Sequence, residues 1–189
     1  MKQWLPLASA VIYWGGVILR AWQVKGHIGR SPNLLPRSTQ EKFLWLGWAL
    51  VVTAWAGASH FHTRIFFDGP VSVSAGALLV LAGLAGTYWS HSFLGDSWRI
   101  GVKEGEKTPL ITHGPYRWVR HPLYLFQVLI LLGVFLIAPS WVTLSGLVLH
   151  RLLVAFKMRD EEKHLERLHG PIYKEYSQRT GALWPKVHF

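Results

Sequence analysis

Residues 120–141 read RHPLYLFQVLILLGVFLIAPSW, and the architecture follows from the way this stretch changes character. Basic side chains stand at its start, and the apolar run that follows carries no charge at all. Pro139 and Ser140 interrupt that run before a second apolar run begins. The pattern predicts two helices, over residues 123–138 and 141–156, that form a tight hairpin.

The composition indicates a membrane protein. Half of the 189 residues are hydrophobic and 16% are charged, whereas soluble proteins carry about 25% charged residues. A helix needs about 20 mostly apolar residues to cross a bilayer, and residues 4–22, 43–59 and 71–93 come close to this length. Together with the hairpin, these segments predict an all-α, polytopic membrane protein with about five transmembrane helices.

The basic residues predict the orientation of the chain. Seventeen of the 20 Lys and Arg residues lie in residues 20–42, 94–122 and 157–189, and only Lys2 and Arg64 lie on the opposite side. Basic residues accumulate on the cytoplasmic side of membrane proteins. We therefore expect the N-terminus outside and the C-terminus in the cytoplasm, in the inner or plasma membrane if the source is a prokaryote.

Charge and composition also narrow the range of partners. The formal net charge is +10, and in so apolar a chain this favours anionic membrane lipids over nucleic acid, so no nucleic-acid partner is expected. The chain has no cysteine, which excludes disulfides and thiol catalysis. His60 and His62 have only Asp68 as an acidic neighbour in the sequence, so no metal site is expected.

We expect one membrane domain over residues 1–189, with three spans in residues 1–93 and a loop, the hairpin and a cytoplasmic tail in residues 94–189. Gly170 and Pro171 should interrupt the helix of the tail, because proline suits the first turn of a new helix. Apolar residues of the tail recur at spacings of three and four, as in an amphipathic helix. They are Leu165, Leu168, Ile172 and Tyr176.

The motif Arg120-His121-Pro122 opens the fourth helix. With proline at the first helical position, the free N–H groups of the helix should point at the cytoplasmic interface, where a helix N-terminus attracts anions. Arg120 could add a bidentate contact to a carboxylate or phosphate. However, Arg and His flank many ordinary spans, and Tyr124 suits the aromatic belt at a membrane surface. Both interpretations stay open.

The acidic residues Asp160, Glu161 and Glu162 follow Arg159 in an otherwise basic tail. Opposite charges three residues apart, such as Arg159 and Glu162, are typical of a solvated helix face with internal ion pairs. The alternative is that Glu161 or Glu162 folds under the membrane and faces a cationic ligand.

Two further features could be functional. Residues 94–116 form a loop that is too long to be a mere connection, although a flexible strap would look the same. His150 and Arg151 lie well inside the fifth span, where ionisable side chains are costly and usually face a cavity or a partner. Alternatively, Arg151 extends its side chain toward the cytoplasmic surface.

Taken together, these residues resemble the isoprenylcysteine carboxyl methyltransferase family of integral-membrane enzymes. The resemblance covers about residues 93–185, roughly half of the chain. The matching residues are Leu110, Gly114, Tyr116, Arg120, His121, Pro122 and Tyr124, then Glu161, Glu162, Leu165, Gly170, Tyr173 and Tyr176.

The resemblance implies that S-adenosylmethionine binds in a cytoplasmic pocket built by the loop, the hairpin and the tail. By position, the implied cofactor contacts are Thr108, Pro109, Leu110, Ile111, Tyr116, His121, Pro122, Leu123, Tyr124 and Glu161. The implied catalytic residues are Arg120, Arg159 and Glu162, of which the two arginines would hold an anionic acceptor or polarise the site.

Two departures from the family pattern concern the acceptor. Many relatives have His where this chain has Thr108, and Gly where it has Phe126. Phe126 is expected to narrow the crevice through which a lipid tail enters. The lipophilic acceptor is therefore open between a prenylcysteine-like carboxylate, a phospholipid amine and another small lipophilic nucleophile.

Two other functions are compatible with this sequence. An NADPH-dependent membrane reductase of the sterol-reductase type resembles the same C-terminal architecture, although such enzymes usually have more spans. A non-catalytic membrane protein could use its basic face to bind anionic lipid.

Overall fold

The computed structural model describes residues 4–29, 39–58, 69–98 and 109–186. Within these ranges the chain is helical and has no β-strand, which confirms the all-α expectation. The six α-helices are α1 (Leu5–Ile28), α2 (Thr39–Ala56), α3 (Pro70–Leu94), α4 (Pro122–Ile137), α5 (Trp141–His169) and α6 (Pro171–Arg179). Short 3-10 helices cover Gly95–Ser97 and Gly114–Arg117. The predictions on Thr108, His60, His62, Asp68 and residues 99–108 of the 94–116 loop fall outside the described residues.

Three helices are long and apolar enough to cross a membrane: Leu5–His27, Pro70–Leu94 and Trp141–His169. The apolar part of α2, Trp45–Ala56, and the 16-residue α4 are shorter. A helix of 16 residues is about 24 Å long, against a hydrocarbon core of about 30 Å. The five predicted apolar helices therefore all exist in the bundle, and three of them have full spanning length.

The hairpin between α4 and α5 closes as predicted, at Pro139 and Ser140. The buried Ser140 caps α5, because its hydroxyl accepts from the N–H of Thr143 at 3.2 Å while the Thr143 hydroxyl accepts from the N–H of Ser140 at 3.1 Å. The Thr143 hydroxyl also donates to the carbonyl of Ala138 at 2.8 Å. This reciprocal capping satisfies backbone groups at a turn whose Ser140 and Thr143 are buried.

Helices α3 and α4 pack backbone against backbone through glycines. A Cβ atom added to Gly76 would lie 2.6 Å from the carbonyl oxygen of Gly133, and one added to Gly133 would lie 2.5 Å from that of Gly76. Small residues allow this close approach between membrane helices, where dispersion contacts replace the hydrophobic effect as the source of stability. The deepest core residues next to this seam are Ile130 and Val134.

Phe126 belongs to the same seam. A Cβ atom on Gly86 of α3 would lie 2.2 Å from the ring of Phe126, so the ring occupies the space that the glycine leaves. The side chain that was expected to narrow the lipid crevice is thus a packing contact between α4 and α3.

The fifth helix differs from the expectation. Instead of ending near residue 156, α5 continues without a break to His169, so that the apolar span and the charged tail share one rigid rod of 29 residues. The predicted interruption at Gly170 is confirmed, because Gly170 has φ 53° and α6 begins at Pro171. A positive φ suits glycine, and it redirects the chain back toward the start of α4.

Candidate functional site

The end of the chain pairs with the start of α4. The N–H of Arg120 donates to the carbonyl of Gly181 at 2.8 Å, and the N–H of His121 donates to that of Ala182 at 3.0 Å. A Cβ atom on Gly181 would lie 1.6 Å from the carbonyl oxygen of Trp184, so only glycine fits this turn. These contacts hold the tail against the motif that opens α4.

This pairing changes the expected anion site at the start of α4. Pro122 has no N–H, the N–H of His121 is already bonded to Ala182, and the first intrahelical bond runs from Leu125 N to His121 O at 3.2 Å. Only the N–H groups of Leu123 and Tyr124 are then left without an intrahelical acceptor. The site that the sequence predicted is therefore smaller than a full set of free helix donors.

Arg120 is bonded entirely to the protein. Its Nε and Nη2 atoms lie 2.9 Å and 2.8 Å from Oε1 of Glu162. Its Nη1 atom donates to the carbonyl oxygens of Ser177 at 3.0 Å and Thr180 at 2.5 Å. With its side chain 11% exposed, Arg120 connects the start of α4 to α5 and to the end of α6.

His121 lies between two carboxylates. Its Nδ1 atom is 3.4 Å from Oε2 of Glu161, and its Nε2 atom is 3.1 Å from Oε1 of Glu162. Burial by itself would lower the pKa of His121, but the hydrogen bonds and the negative charges of Glu161 and Glu162 raise it above its ordinary value of 6.5. The protonated imidazole and Arg120 together balance the two carboxylates.

Tyr124 completes the cluster one turn into α4. Its hydroxyl donates to Oε1 of Glu161 at 2.6 Å, and its ring stacks on that of His121 with centroids 5.8 Å apart and planes 27° from parallel. The side chain of Glu161 is still 26% exposed. Both carboxylate oxygens of Glu161 are therefore positioned by the protein, on a side chain that is partly exposed.

Tyr176 stabilises the loop that precedes α4. The hydroxyl of Tyr176 in α6 donates to the carbonyl of Tyr116 at 2.7 Å. Burial raises the pKa of Tyr176 to about 12, so the hydroxyl keeps the proton that it donates. Tyr116 is itself buried.

Most of the predicted site residues come together at this place. The structure joins Arg120, His121, Tyr124, Glu161 and Glu162 in one cluster, at the end of α4 that carries Pro122 and Leu123. Pro109, Leu110 and Ile111 lie in the segment leading to the 3-10 helix that contains Tyr116. Thr108 lies outside the described residues. Arg159 is exposed on α5 and makes no hydrogen bond or ion pair with the cluster.

A second polar group lies inside the apolar bundle. The side-chain amide nitrogen of Gln127 donates to the hydroxyl of Tyr13, and its oxygen lies 3.0 Å from Nε2 of His150. The ring of Trp48 meets that of His150 edge-on, with centroids 5.0 Å apart. Sequence reasoning singled out His150 but missed Tyr13 and Gln127. The available signal was the amide at position 127, the only polar side chain in its run, three residues after Tyr124.

Comparison with known sequences identifies a family. A sequence model of the family described as phospholipid methyltransferase matches residues 71–172, slightly more than half of the chain. The cobalt-zinc-cadmium resistance protein CzcN of Cupriavidus metallidurans is 29% identical over 74% of the chain. A methanethiol S-methyltransferase of a Pseudomonas species is 28% identical over 96% of the chain. The chain covers 62% and 56% of these two proteins, so it spans little more than half their length.

Comparison with solved structures identifies the same fold. The eukaryotic intramembrane Ras methyltransferase ICMT (isoprenylcysteine carboxyl methyltransferase) superposes with a TM-score of 0.61 at 17% identity. The alignment covers 99% of this chain and 72% of that protein. At this identity the likeness concerns the helical architecture.

Proposed function

Because the chain belongs to the phospholipid methyltransferase family, we propose that it transfers a methyl group from S-adenosylmethionine to a lipophilic acceptor at the cytoplasmic face of a membrane. One observation carries this proposal. The cluster of His121, Tyr124, Glu161 and Glu162 lies where the polar loop and tail meet the apolar hairpin. A water-soluble cofactor and a lipid-soluble acceptor can approach such a boundary from opposite sides.

The residues of the cluster fit the chemical groups of S-adenosylmethionine. The negative charge of the partly exposed Glu161 side chain suits an amino group, and the N–H groups of Leu123 and Tyr124 suit a carboxylate. The aromatic faces of Tyr116 and Tyr124 suit a sulfonium, since a cation over an aromatic ring gains about 0.5–2 kcal/mol. Because of this fit, we propose that the cofactor contacts implied by the resemblance lie in this cluster and in the loop before it.

When bound, the cofactor supplies a methyl group that its positive sulfur activates. The protein's part is then mostly alignment of the acceptor with that methyl group, and positioning can supply much of a rate enhancement. Tyr124 and His121 hold Glu161 in one orientation, and they keep its carboxylate in place for the ligand. The pairing of residues 181–182 with Arg120 and His121 covers the backbone at the start of α4, where His121 is buried.

We assign different roles to the three residues that were implied as catalytic. Arg120 and Glu162 are positioning residues. The guanidinium of Arg120 donates to Glu162 and to the end of α6. Glu162 accepts from both Arg120 and His121. Arg159 remains a candidate for attracting an anionic acceptor from the membrane surface, since its exposed side chain extends from the same helix.

The placement in the membrane follows from the same proposal. The cluster would face the cytoplasm, with the N-terminus of the chain outside, in a single membrane domain. The acceptor would be a small lipophilic nucleophile that enters along the apolar helices. One similar sequence is named for methanethiol, and the solved structure with the same fold is named for isoprenylcysteine.

Cofactor binding tests the proposal. Isothermal titration of the detergent-purified protein should detect micromolar binding of S-adenosylhomocysteine and no binding of NADPH, and Glu161→Ala and His121→Ala should each weaken that binding at least tenfold. Binding of NADPH instead, or none of either nucleotide, would contradict the proposal. Incubation of the protein with methyl-labelled cofactor and a membrane lipid extract should then identify the acceptor by the label it gains.

A further inference from the structure

The bundle contains a polar site that the cluster at the cytoplasmic face does not use. We propose that His150 and Arg151, together with Gln127 and Tyr13, bind the reacting group of the acceptor, and that this group is an ionisable acid, a thiol or a carboxylic acid, and not an amine. We call these four residues the inner site. The inference rests on the proposed methyl transfer, and it selects among the acceptor classes.

The hydrogen bonds orient the imidazole of His150. The amide nitrogen of Gln127 donates to Tyr13, so its carbonyl oxygen is the atom that faces His150. A carbonyl oxygen only accepts, and Nε2 of His150 therefore carries the hydrogen. In a neutral imidazole the other nitrogen, Nδ1, then presents a lone pair. This atom is buried and has no hydrogen-bond partner among the described residues.

Arg151 supplies a complementary group beside it. Its Nη1 atom is also buried and also has no partner within the described part of the chain. Arg151 follows His150 directly on α5 and is partly exposed, and its guanidinium stays charged in a protein. A buried guanidinium nitrogen and a buried imidazole nitrogen without partners both cost free energy, and ionisable residues in membrane helices usually face a ligand or a pathway.

The two unpaired atoms, Nδ1 of His150 and Nη1 of Arg151, indicate which chemical group could bind to both. An acid X–H can donate its hydrogen to Nδ1 of His150, and if the proton transfers to Nδ1, the conjugate base left behind is an anion that Arg151 stabilises. An amine leaves no such anion. Its protonated form is a cation, which Arg151 repels. The arrangement therefore favours a thiol or a carboxylic acid as the methyl acceptor.

The inner site is continuous with the cofactor cluster. Tyr124 and Gln127 lie three residues apart on α4, and His121 immediately precedes this helix, so polar side chains follow one another from the cluster into an otherwise apolar helix. Each step of three residues advances about 4.5 Å. A ligand held by His150 would thus lie one helical turn deeper than Tyr124, with the half-buried Trp48 beside it on the α2 side.

Nitrogen-detected NMR of the full chain in micelles tests the inference without turnover. The resonances of 15N-labelled His150 Nδ1 and Arg151 Nη would be assigned by their loss in His150→Gln and Arg151→Gln. Addition of 1-octanethiol or octanoic acid should shift both resonances, whereas octylamine and octane should leave them in place. The thiol and the acid are separate arms, and a shift with either one supports the inference. Equal shifts with octylamine, or none with either acid, would overturn it.

Affinity measurements give the same distinction in the variants. Arg151→Gln should weaken binding of whichever acid binds by at least tenfold, and His150→Gln should do likewise, although its amide can still donate to Gln127. The exposed Arg167→Gln on the same helix is the matched control and should have no effect. Unchanged acid affinity in both inner-site variants would refute the inference.

Binding of S-adenosylhomocysteine, measured on the same preparations, is a separate readout. If the wild-type protein did not bind S-adenosylhomocysteine, the proposed function would be rejected. The NMR result would still decide what the inner site binds.

Discussion

The hydroxyl of Tyr124 donates to Oε1 of Glu161 across 2.6 Å, and this bond joins the first turn of the apolar helix α4 to the charged extension of α5. It exists because α5 does not stop at the end of its apolar part. The extension carries Glu161 and Glu162 back over the start of α4, where a helix that ended near residue 156 could not reach. The candidate cofactor site therefore depends on α5 continuing without a break to His169.

Removal of the Glu161 charge should impair cofactor binding. In Glu161→Gln the side chain keeps its size but no longer attracts an amino group, so we expect the Kd for S-adenosylhomocysteine to rise at least tenfold, or about 1.4 kcal/mol. Tyr124→Phe should cause a smaller loss, since it only frees the carboxylate to move. Isothermal titration measures both. Glu166→Gln, which changes an exposed carboxylate on the same helix, should bind as the wild type does.

Replacement of Arg120 by lysine should loosen the tail without removing the positive charge. A lysine has a single donor centre and cannot reach Glu162, Ser177 and Thr180 together. We expect faster hydrogen exchange in α6 and a lower thermal midpoint for Arg120→Lys, and no such change for the exposed Arg167→Lys. If Arg120 instead only contacted the acceptor, exchange in α6 would stay at its wild-type rate.

The raised pKa of His121 should make stability depend on pH. Because the pKa is raised in the folded state, the stabilisation is fully present below the ordinary value of 6.5 and is lost as the pH rises through the folded-state value. The thermal midpoint should therefore fall when the pH is increased from about 6 toward 9, through the range in which histidine gives up its proton. His121→Gln should flatten this dependence, and the same change at the exposed His113 should not.

The glycine seam between α3 and α4 should tolerate no side chain. Gly133→Ala places a methyl group against the backbone of Gly76, and overpacking of this kind costs about 1–3 kcal/mol. Gly16→Ala is the control, because nothing lies within 4 Å of a Cβ atom there, and alanine is the better helix former by about 0.5–1 kcal/mol. Thermal unfolding in detergent should separate the two variants in opposite directions.

The contact of Phe126 with Gly86 predicts a rescue. Gly86→Ala should destabilise the protein through a clash with the ring, and Phe126→Ala should destabilise it through a cavity. The double variant has no clash and fills part of the cavity with the new methyl group, so its loss should be smaller than the sum of the single losses by about 0.5–3 kcal/mol. Additive losses would mean that the ring does not occupy the space at Gly86.

The local features of this protein were predictable from residue order. Apolar runs marked the five hydrophobic helices, Pro122 marked the start of α4, and Gly170 with Pro171 marked the break after α5. Each of these depends on neighbours within a few residues: the helical period, the missing N–H of proline and the free φ of glycine. The family motif likewise indicated most of the residues that the structure brings together in the candidate site.

The pairings within the sites were not predictable in this way. Nothing local indicated that Arg120 would pair with Glu162, or that Tyr13 would meet Gln127 from 114 residues away. Such contacts depend on how closely the helices approach and on how far α5 extends. The approach is set by glycines that meet only across the α3–α4 seam, and the extension by a charged segment whose composition also suited a separate helix. Residue order therefore supplied the helices and the chemistry they carry, while helix packing selected which of those groups share a site.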